Sequence, residues 1–208
     1  MKKGKLIVFE GLDGSGKGTQ IQLLADEMKK EGRTVYLTAE PTFSSTGGMI
    51  RDVLGGFVKK DAYELSALFL ADRIFHNVNP KNGIAQFLEK GIDVLCDRYY
   101  YSSLAYQGID ADLDWVMNLN LGCREIIRPD LCIFLDVDID SCDKRIEKNR
   151  LEREIFENKS TQKKIRKRFF EVFEKIGSEE NIKIVDAARS ISEVSADILN
   201  IYHHLKEQ

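Results

Sequence analysis

Proline is scarce in this chain: three residues in 208, with no glycine- or serine-rich tract. That leaves little room for a flexible linker and points to one compact domain. Cysteine is sparse as well. Cys96, Cys123, Cys132 and Cys142 are widely spaced and form no C-x-x-C pair, which argues against a zinc site or a redox dithiol. Cys96 and Cys132 sit in apolar runs and read as small buried hydrophobes in a reducing compartment. No apolar stretch approaches the ~20 residues of a membrane span. The first apolar run, Leu6 to Phe9, stops at Glu10 and is too short for a signal-peptide core. Excess positive charge is missing too, since the net charge is -3, without the footprint of a nucleic-acid binder. The expectation is a cytoplasmic protein that binds neither nucleic acid nor membrane.

What is present suffices for a core without disulfide or metal: 43% hydrophobic and 31% charged residues. Short apolar runs at Leu6–Phe9, Thr34–Leu37, Ile92–Cys96, Leu131–Leu135 and Asn181–Val185 read as buried strands. Between them, helical periodicity runs from Gly18 to about Glu31, Thr46 to Leu54, Ala62 to Asn77 and Asn82 to Lys90, and a last helix from about Ser192 to Leu205. This alternation predicts an α/β fold: a five-stranded parallel sheet flanked by helices, with ligands at the carboxyl ends of the strands.

Gly11-Leu12-Asp13-Gly14-Ser15-Gly16-Lys17-Gly18 follows the first strand and opens the first helix, the order of a P-loop. The glycines let successive backbone N–H groups turn around a phosphate, the helix N-terminus adds partial positive charge, and Lys17 brings a full charge to the outer phosphates. Gly18 stands where a Ser or Thr hydroxyl normally meets Mg²⁺, and Thr19 follows one place later. A dinucleotide fingerprint fails, because Gly14, Gly16 and Gly18 do not give G-x-G-x-x-G. A GTPase reading fails at Asn158-Lys159-Ser160-Thr161, which lacks the base-reading Asp, and no Leu-Ser-Gly-Gly signature of a transporter ATPase occurs. Two aspartates at strand ends, Asp97 and Asp136, compete as the metal-side carboxylate.

Further motifs follow in order: Glu40-Pro41, Gly48-Met49-Ile50-Arg51, Leu68-Phe69-Leu70-Ala71-Asp72-Arg73, Asp97-Arg98-Tyr99 and Ser102-Ser103-Leu104-Ala105-Tyr106-Gln107-Gly108. From about Leu6 to Leu199 the chain resembles the thymidylate kinases, P-loop enzymes that move the γ-phosphoryl of ATP to dTMP with Mg²⁺. The resemblance implies a three-layer P-loop fold in one domain, with acceptor-binding helices over about 41–80 and a lid over about 142–158. It implies a homodimer as well.

Carried over by position, the resemblance assigns ATP to Gly11, Leu12, Asp13, Gly14, Ser15, Gly16, Lys17, Gly18 and Thr19, with Arg145, Arg150 and Ala187. It assigns the dTMP phosphate to Arg51 and Arg98, the 3′-hydroxyl to Asp13, thymine to Phe69 and Arg73, and the sugar to Tyr106. Glu40, Pro41, Ser102, Ser103 and Gln107 complete the acceptor site. Lys17, Asp97, Arg98 and Arg153 are the expected catalytic groups, and Asp97, directly or through water, and Thr19 the expected metal contacts. Arg153 is chosen because some relatives carry an arginine after the P-loop aspartate, where this chain has Gly14, and those without it supply the charge from the lid. Lys163, Lys164, Arg166, Lys167 and Arg168 read as the solvated face of the helix after the lid, and His76, His203 and His204 as exposed or structural. Two other readings stay open: another nucleotide or deoxynucleoside kinase, or a nucleotide-binding regulator without an acceptor.

Overall fold

The computed structural model describes residues 3–143, 155, 156 and 158–206. Five strands, β1 (Leu6–Gly11), β2 (Val35–Ala39), β3 (Asp93–Asp97), β4 (Leu131–Asp136) and β5 (Ile182–Asp186), form one parallel sheet in the order β2-β3-β1-β4-β5. The expected five-stranded parallel sheet is therefore present. Helices α1 (Lys17–Lys30), α2 (Ser45–Leu54), α3 (Ala62–Val78), α4 (Ile84–Glu89), α5 (Tyr100–Tyr106), α6 (Leu113–Leu121), α7 (Lys159–Ile176) and α8 (Ile191–Lys206) flank it. Here α1 packs with α8, and α5 with α7. No helix among the described residues is long and apolar enough to cross a membrane.

Apolar composition explains the middle of the sheet. Every residue of β1 is buried, and β3 and β4 are buried but for their last residues, as strands covered on both faces must be. The edge strands β2 and β5 expose part of theirs. Phe134 of β4 is boxed by Phe169 and Phe173 of α7, with ring centroids at 4.9 and 5.1 Å. That contact pins α7 to the sheet. Truncating one such core aromatic costs about 3–5 kcal/mol.

Boundaries differ from the sequence reading in instructive ways. β1 runs on to Gly11, because Glu10 is fully buried rather than marking the strand's end. α4 begins at Ile84, after Gly83 in the cap position. α5 and α6 were not legible. α5 is buried on nearly all sides and so lacks an amphipathic period, while α6 has nine residues, capped by Asp112 accepting from the Trp115 amide. Asp61 and Glu64 form a capping box that starts α3. Cys96, Cys132 and Cys142 are buried and Cys123 is half-buried.

Candidate active site

β1 lies between β3 and β4, so the loop after it sits between the ends of both neighbours. Gly11, Gly14 and Gly16 take φ of 144°, 79° and 98°, where L side chains are strained. A Cβ on Gly14 would also stand 2.5 Å from the Cys142 carbonyl oxygen. Side-chain-free backbone is therefore required at that point. Lys17 is buried and donates to the Gly11 and Leu12 carbonyls at 3.2 and 3.0 Å, so its ammonium hangs over the loop. Burial and the neighbouring Arg98 lower its pKa. Gly18 and Thr19 are exposed in the first turn of α1, and neither lines the cavity described below.

The two strand-end aspartates have different partners. Asp136 takes both oxygens to Arg166, with Nε and Nη2 donating at 2.7 Å each. Arg166 is thus a clamp rather than part of a freely solvated face. Asp97 Oδ1 is buried with no hydrogen-bond partner among the described residues. An orphaned carboxylate oxygen close enough to Lys17 to act on its charge suits a hydrated cation beside a triphosphate. No cluster of three or more His, Cys, Asp or Glu that could hold a metal occurs among the described residues.

Next to the loop opens a cavity of about 310 Å³ lined by Asp13, Lys17, Asp97 and Arg98 and by Phe69, Arg73, Ser103 and Gln107. Glu40, Pro41, Arg51, Ser102 and Tyr106 complete the walls, so every residue ascribed to the acceptor meets in one place. Phe43, Leu54, Tyr99 and Phe156 line it as well. Phe156 packs edge-on to Tyr106 at 5.5 Å. Phe69 and Arg73, one helical turn apart on α3, both reach this space.

Arg98 is the centre of the cavity's electrostatics. It has φ 66°, which makes it the only non-glycine residue with positive φ among the described residues. Its amide donates to the Phe9 carbonyl at 2.9 Å, and its guanidinium donates to Asp13 Oδ1 at 2.6 Å and Ser102 Oγ at 3.0 Å. It lies over the Tyr106 ring, 5.1 Å from the centroid. Glu10 holds this turn from beneath. Its carboxylate accepts from the Tyr99 amide at 2.8 Å, the Ser102 amide at 3.1 Å and the Ser102 hydroxyl at 2.6 Å. Burial raises the Glu10 pKa to about 7, against the pull of Arg98 and its hydrogen bonds.

Asp72 does similar work for the loop before α2. It accepts from the Thr42 amide at 2.7 Å, the Thr42 hydroxyl at 2.6 Å and the Ser44 hydroxyl at 2.7 Å. Arg51 donates to the Thr42 carbonyl at 2.8 Å and the Pro41 carbonyl at 3.2 Å, and stacks over Phe43. Arg73 is buried and donates to Glu40, Ser103 and Asn120. His76 is buried and bonded to Glu40 and Thr38, and His203 bonds Glu31 across to α1. Glu10, Asp72, His76 and Asn120 carry the site's geometry, and composition alone did not single them out. A polar residue inside an apolar strand or helix face was the available signal for the first three.

Ala187 is buried just after β5, its amide donating to the Asp136 carbonyl at 2.8 Å. Arg145, Arg150 and Arg153 lie outside the described residues, as does most of the expected lid.

A phosphate-cradling loop beside a separate cavity lined by arginines and aromatics defines a P-loop nucleotide-binding protein with room for a second substrate. The family described as thymidylate kinase matches residues 9–198. A protein named "Probable thymidylate kinase" from Pyrococcus horikoshii is 38% identical over 97% of each chain. One of the same name from Thermococcus onnurineus is 37% identical over 95% of this chain and 97% of its own. The solved thymidylate kinase of Candida albicans superposes with a TM-score of 0.84 at 25% identity, covering 98% of this chain and 93% of its own. The chain belongs to the thymidylate kinase family.

Proposed function

We propose that the chain transfers the γ-phosphoryl group of ATP to dTMP, giving dTDP and ADP. The cavity beside the P-loop, which is lined by Arg51 and Arg98 together with Phe69 and Arg73, carries this reading. Guanidinium forks suit bidentate phosphate binding, and an aromatic with a neighbouring donor suits a pyrimidine ring with carbonyl oxygens. A phosphate oxygen of dTMP attacks the γ-phosphorus. The bond from that phosphorus to the bridging oxygen breaks, and ADP leaves with the electron pair. The nucleophile is already ionised near neutral pH, so no general base is required.

The roles we assign are those the resemblance implies, supported by each residue's place at the loop or cavity. The P-loop amides and Lys17 hold the outer phosphates and offset the charge of transfer. Arg98, carried by Glu10 and Asp13, sits between loop and acceptor and serves the transferring group. Tyr106 meets the sugar, Asp13 the 3′-hydroxyl, and Ser102, Ser103, Glu40 and Pro41 shape the walls. The buried, unpartnered Gln107 Oε1 supports a polar contact there. Mg²⁺ would be held by Asp97 with the ATP phosphates; bound there, it neutralises phosphate charge. The resemblance supports a reading of about 142–158 as the lid and about 41–80 as the acceptor-binding part of one domain. The protein works in the cytoplasm as a homodimer, whose pairing is supported by an exposed apolar stripe on α3: Tyr63, Ala67, Ala71, Phe75 and Val78.

A coupled assay of ADP release with dTMP, dUMP, dGMP, AMP and thymidine tests the assignment. Release is expected to be fastest with dTMP and to vanish in Lys17→Ala while the fold persists. Release that no acceptor stimulates would leave a nucleotide-binding regulator, and thymidine as the best substrate a nucleoside kinase.

A further inference from the structure

We propose that His76 is a positioning residue for recognition of the acceptor base, acting through Glu40 on Arg73. The inference rests on the acceptor cavity being the dTMP site. His76 lies on α3 three residues after Arg73 and is buried, with both ring nitrogens in use. Nδ1 is 3.0 Å from Glu40 Oε1, and Nε2 is 2.7 Å from Thr38 Oγ1. An ionised carboxylate only accepts, so Nδ1 carries the proton; in the neutral ring Nε2 then accepts from the threonine hydroxyl. The histidine thus spans from β2 to the carboxylate that begins the cavity wall.

Glu40 uses its other oxygen for Arg73, with Nε donating at 2.8 Å and Nη2 in ion-pair contact at 2.8 Å. Nη2 also donates to Ser103 Oγ at 3.0 Å, and Nη1 donates to Asn120 Oδ1. A guanidinium has five N–H groups in one plane. Three are hydrogen-bonded to these partners, and one on Nη1 remains for a ligand acceptor. Because the group is planar, fixing the Nε edge fixes the direction of that last donor. Glu40 fixes the edge, and His76 fixes Glu40.

The ring has a second consequence. His76 also lines a separate cavity of about 330 Å³ with Thr38, Phe75 and Asn79. Loss of the Nδ1 contact would leave Glu40 Oε1 to seek another donor in a buried place. The carboxylate would turn, and Arg73 would turn with it.

Two conservative variants separate the two ends of the ring. The amide of His76→Asn falls near Nδ1 and can still donate to Glu40, whereas that of His76→Gln falls near Nε2 and serves Thr38. Dissociation constants for dTMP and for a non-hydrolysable ATP analogue are measured by calorimetry, with KM and kcat for both substrates. His76→Gln should weaken dTMP binding and raise its KM about 10-fold, the loss expected for one hydrogen bond to a charged group. The ATP constants should stay within about two-fold, and His76→Asn should recover most of the dTMP affinity. In a Glu40→Gln background, His76→Gln should add less than about two-fold, since its effect passes through Glu40. Wild-type dTMP affinity in His76→Gln, equal losses in both variants, or full additivity with Glu40→Gln would overturn the proposal. A wild-type protein that binds no dTMP would overturn the acceptor reading and this inference with it, and that result is visible before any variant is made.

Discussion

Buried carboxylates position the charged groups of this site, and Glu10 is the one whose ionisation should be visible in solution. Burial lifts its pKa from 4.5 to about 7, although Arg98 and three hydrogen-bond donors favour the charged form. A carboxyl whose pKa is higher folded than unfolded keeps its proton longer in the native state. Its stabilising effect is therefore complete below pH 4.5 and lost as pH rises through about 7, in total on the order of 3 kcal/mol. The urea midpoint should decline across that window relative to Glu10→Gln, in which this contribution is absent. Identical pH dependence in both proteins would show that Glu10 does not titrate there. The same residue explains how Arg98 is tolerated at φ 66°, a conformation costing about 1–3 kcal/mol. The amides of Tyr99 and Ser102 are held on Glu10, and the Ser102 hydroxyl in turn holds the guanidinium.

At the scale of elements, we propose that the P-loop and a lid divide the charge needed for transfer. Gly14 cannot be replaced by an arginine without strain, because its φ is 79° and a Cβ would meet the Cys142 carbonyl at 2.5 Å. Gly14→Arg should therefore destabilise the protein by about 1–3 kcal/mol, roughly 2–10 °C in Tm for a chain of this size. A melting curve checks it; an unchanged Tm would mean that the segment around Cys142 yields freely. Charge must then come from elsewhere, and the lid arginines are the source we assign. Arg153→Ala should lower kcat by roughly 10²-fold with little change in KM for dTMP, since its partner charge develops only during transfer. A loss confined to KM would make Arg153 a binding residue. If kcat were untouched in that variant and crippled in Arg150→Ala, the role would pass to Arg150.

For the whole molecule, the question is what covers α3. Tyr63, Ala67, Ala71, Phe75 and Val78 recur every three or four residues along it and are exposed, so an apolar face runs the length of the helix. The opposite face carries Asp72, Arg73 and His76 into the acceptor region. A second copy packed on the outer stripe would brace the helix to which we assign recognition of the base. Phe75→Glu should convert a dimer to a monomer in light scattering. A wild-type protein that is monomeric at micromolar concentration would remove the pairing from the proposed function.

Local chemistry by itself determined the strands and the P-loop. Buried parallel strands require unbroken apolar runs, and a phosphate loop requires glycines and a lysine at set spacing. Each of these is a property of neighbours in the chain. Residues as distant as Asp13, Arg51, Phe69, Arg73 and Arg98 could be gathered into one acceptor site only through the family resemblance. Tertiary structure alone decided the rest. Asp97 and Asp136 look alike at two strand ends, yet Arg166 from a helix thirty residues away occupies only Asp136. Glu10 reads as the end of a strand because a charge normally marks exposure, and only the packed turn at Tyr99 and Ser102 shows what keeps it inside. His76 has no sequence partner, since Glu40 and Thr38 come to it across a strand–helix connection. Helix α5 is hidden for a related reason: surrounded on all sides, it has no polar face to set a period. Spacing along a chain fixes which groups share an element, whereas the partner of a buried charge is chosen by packing between elements.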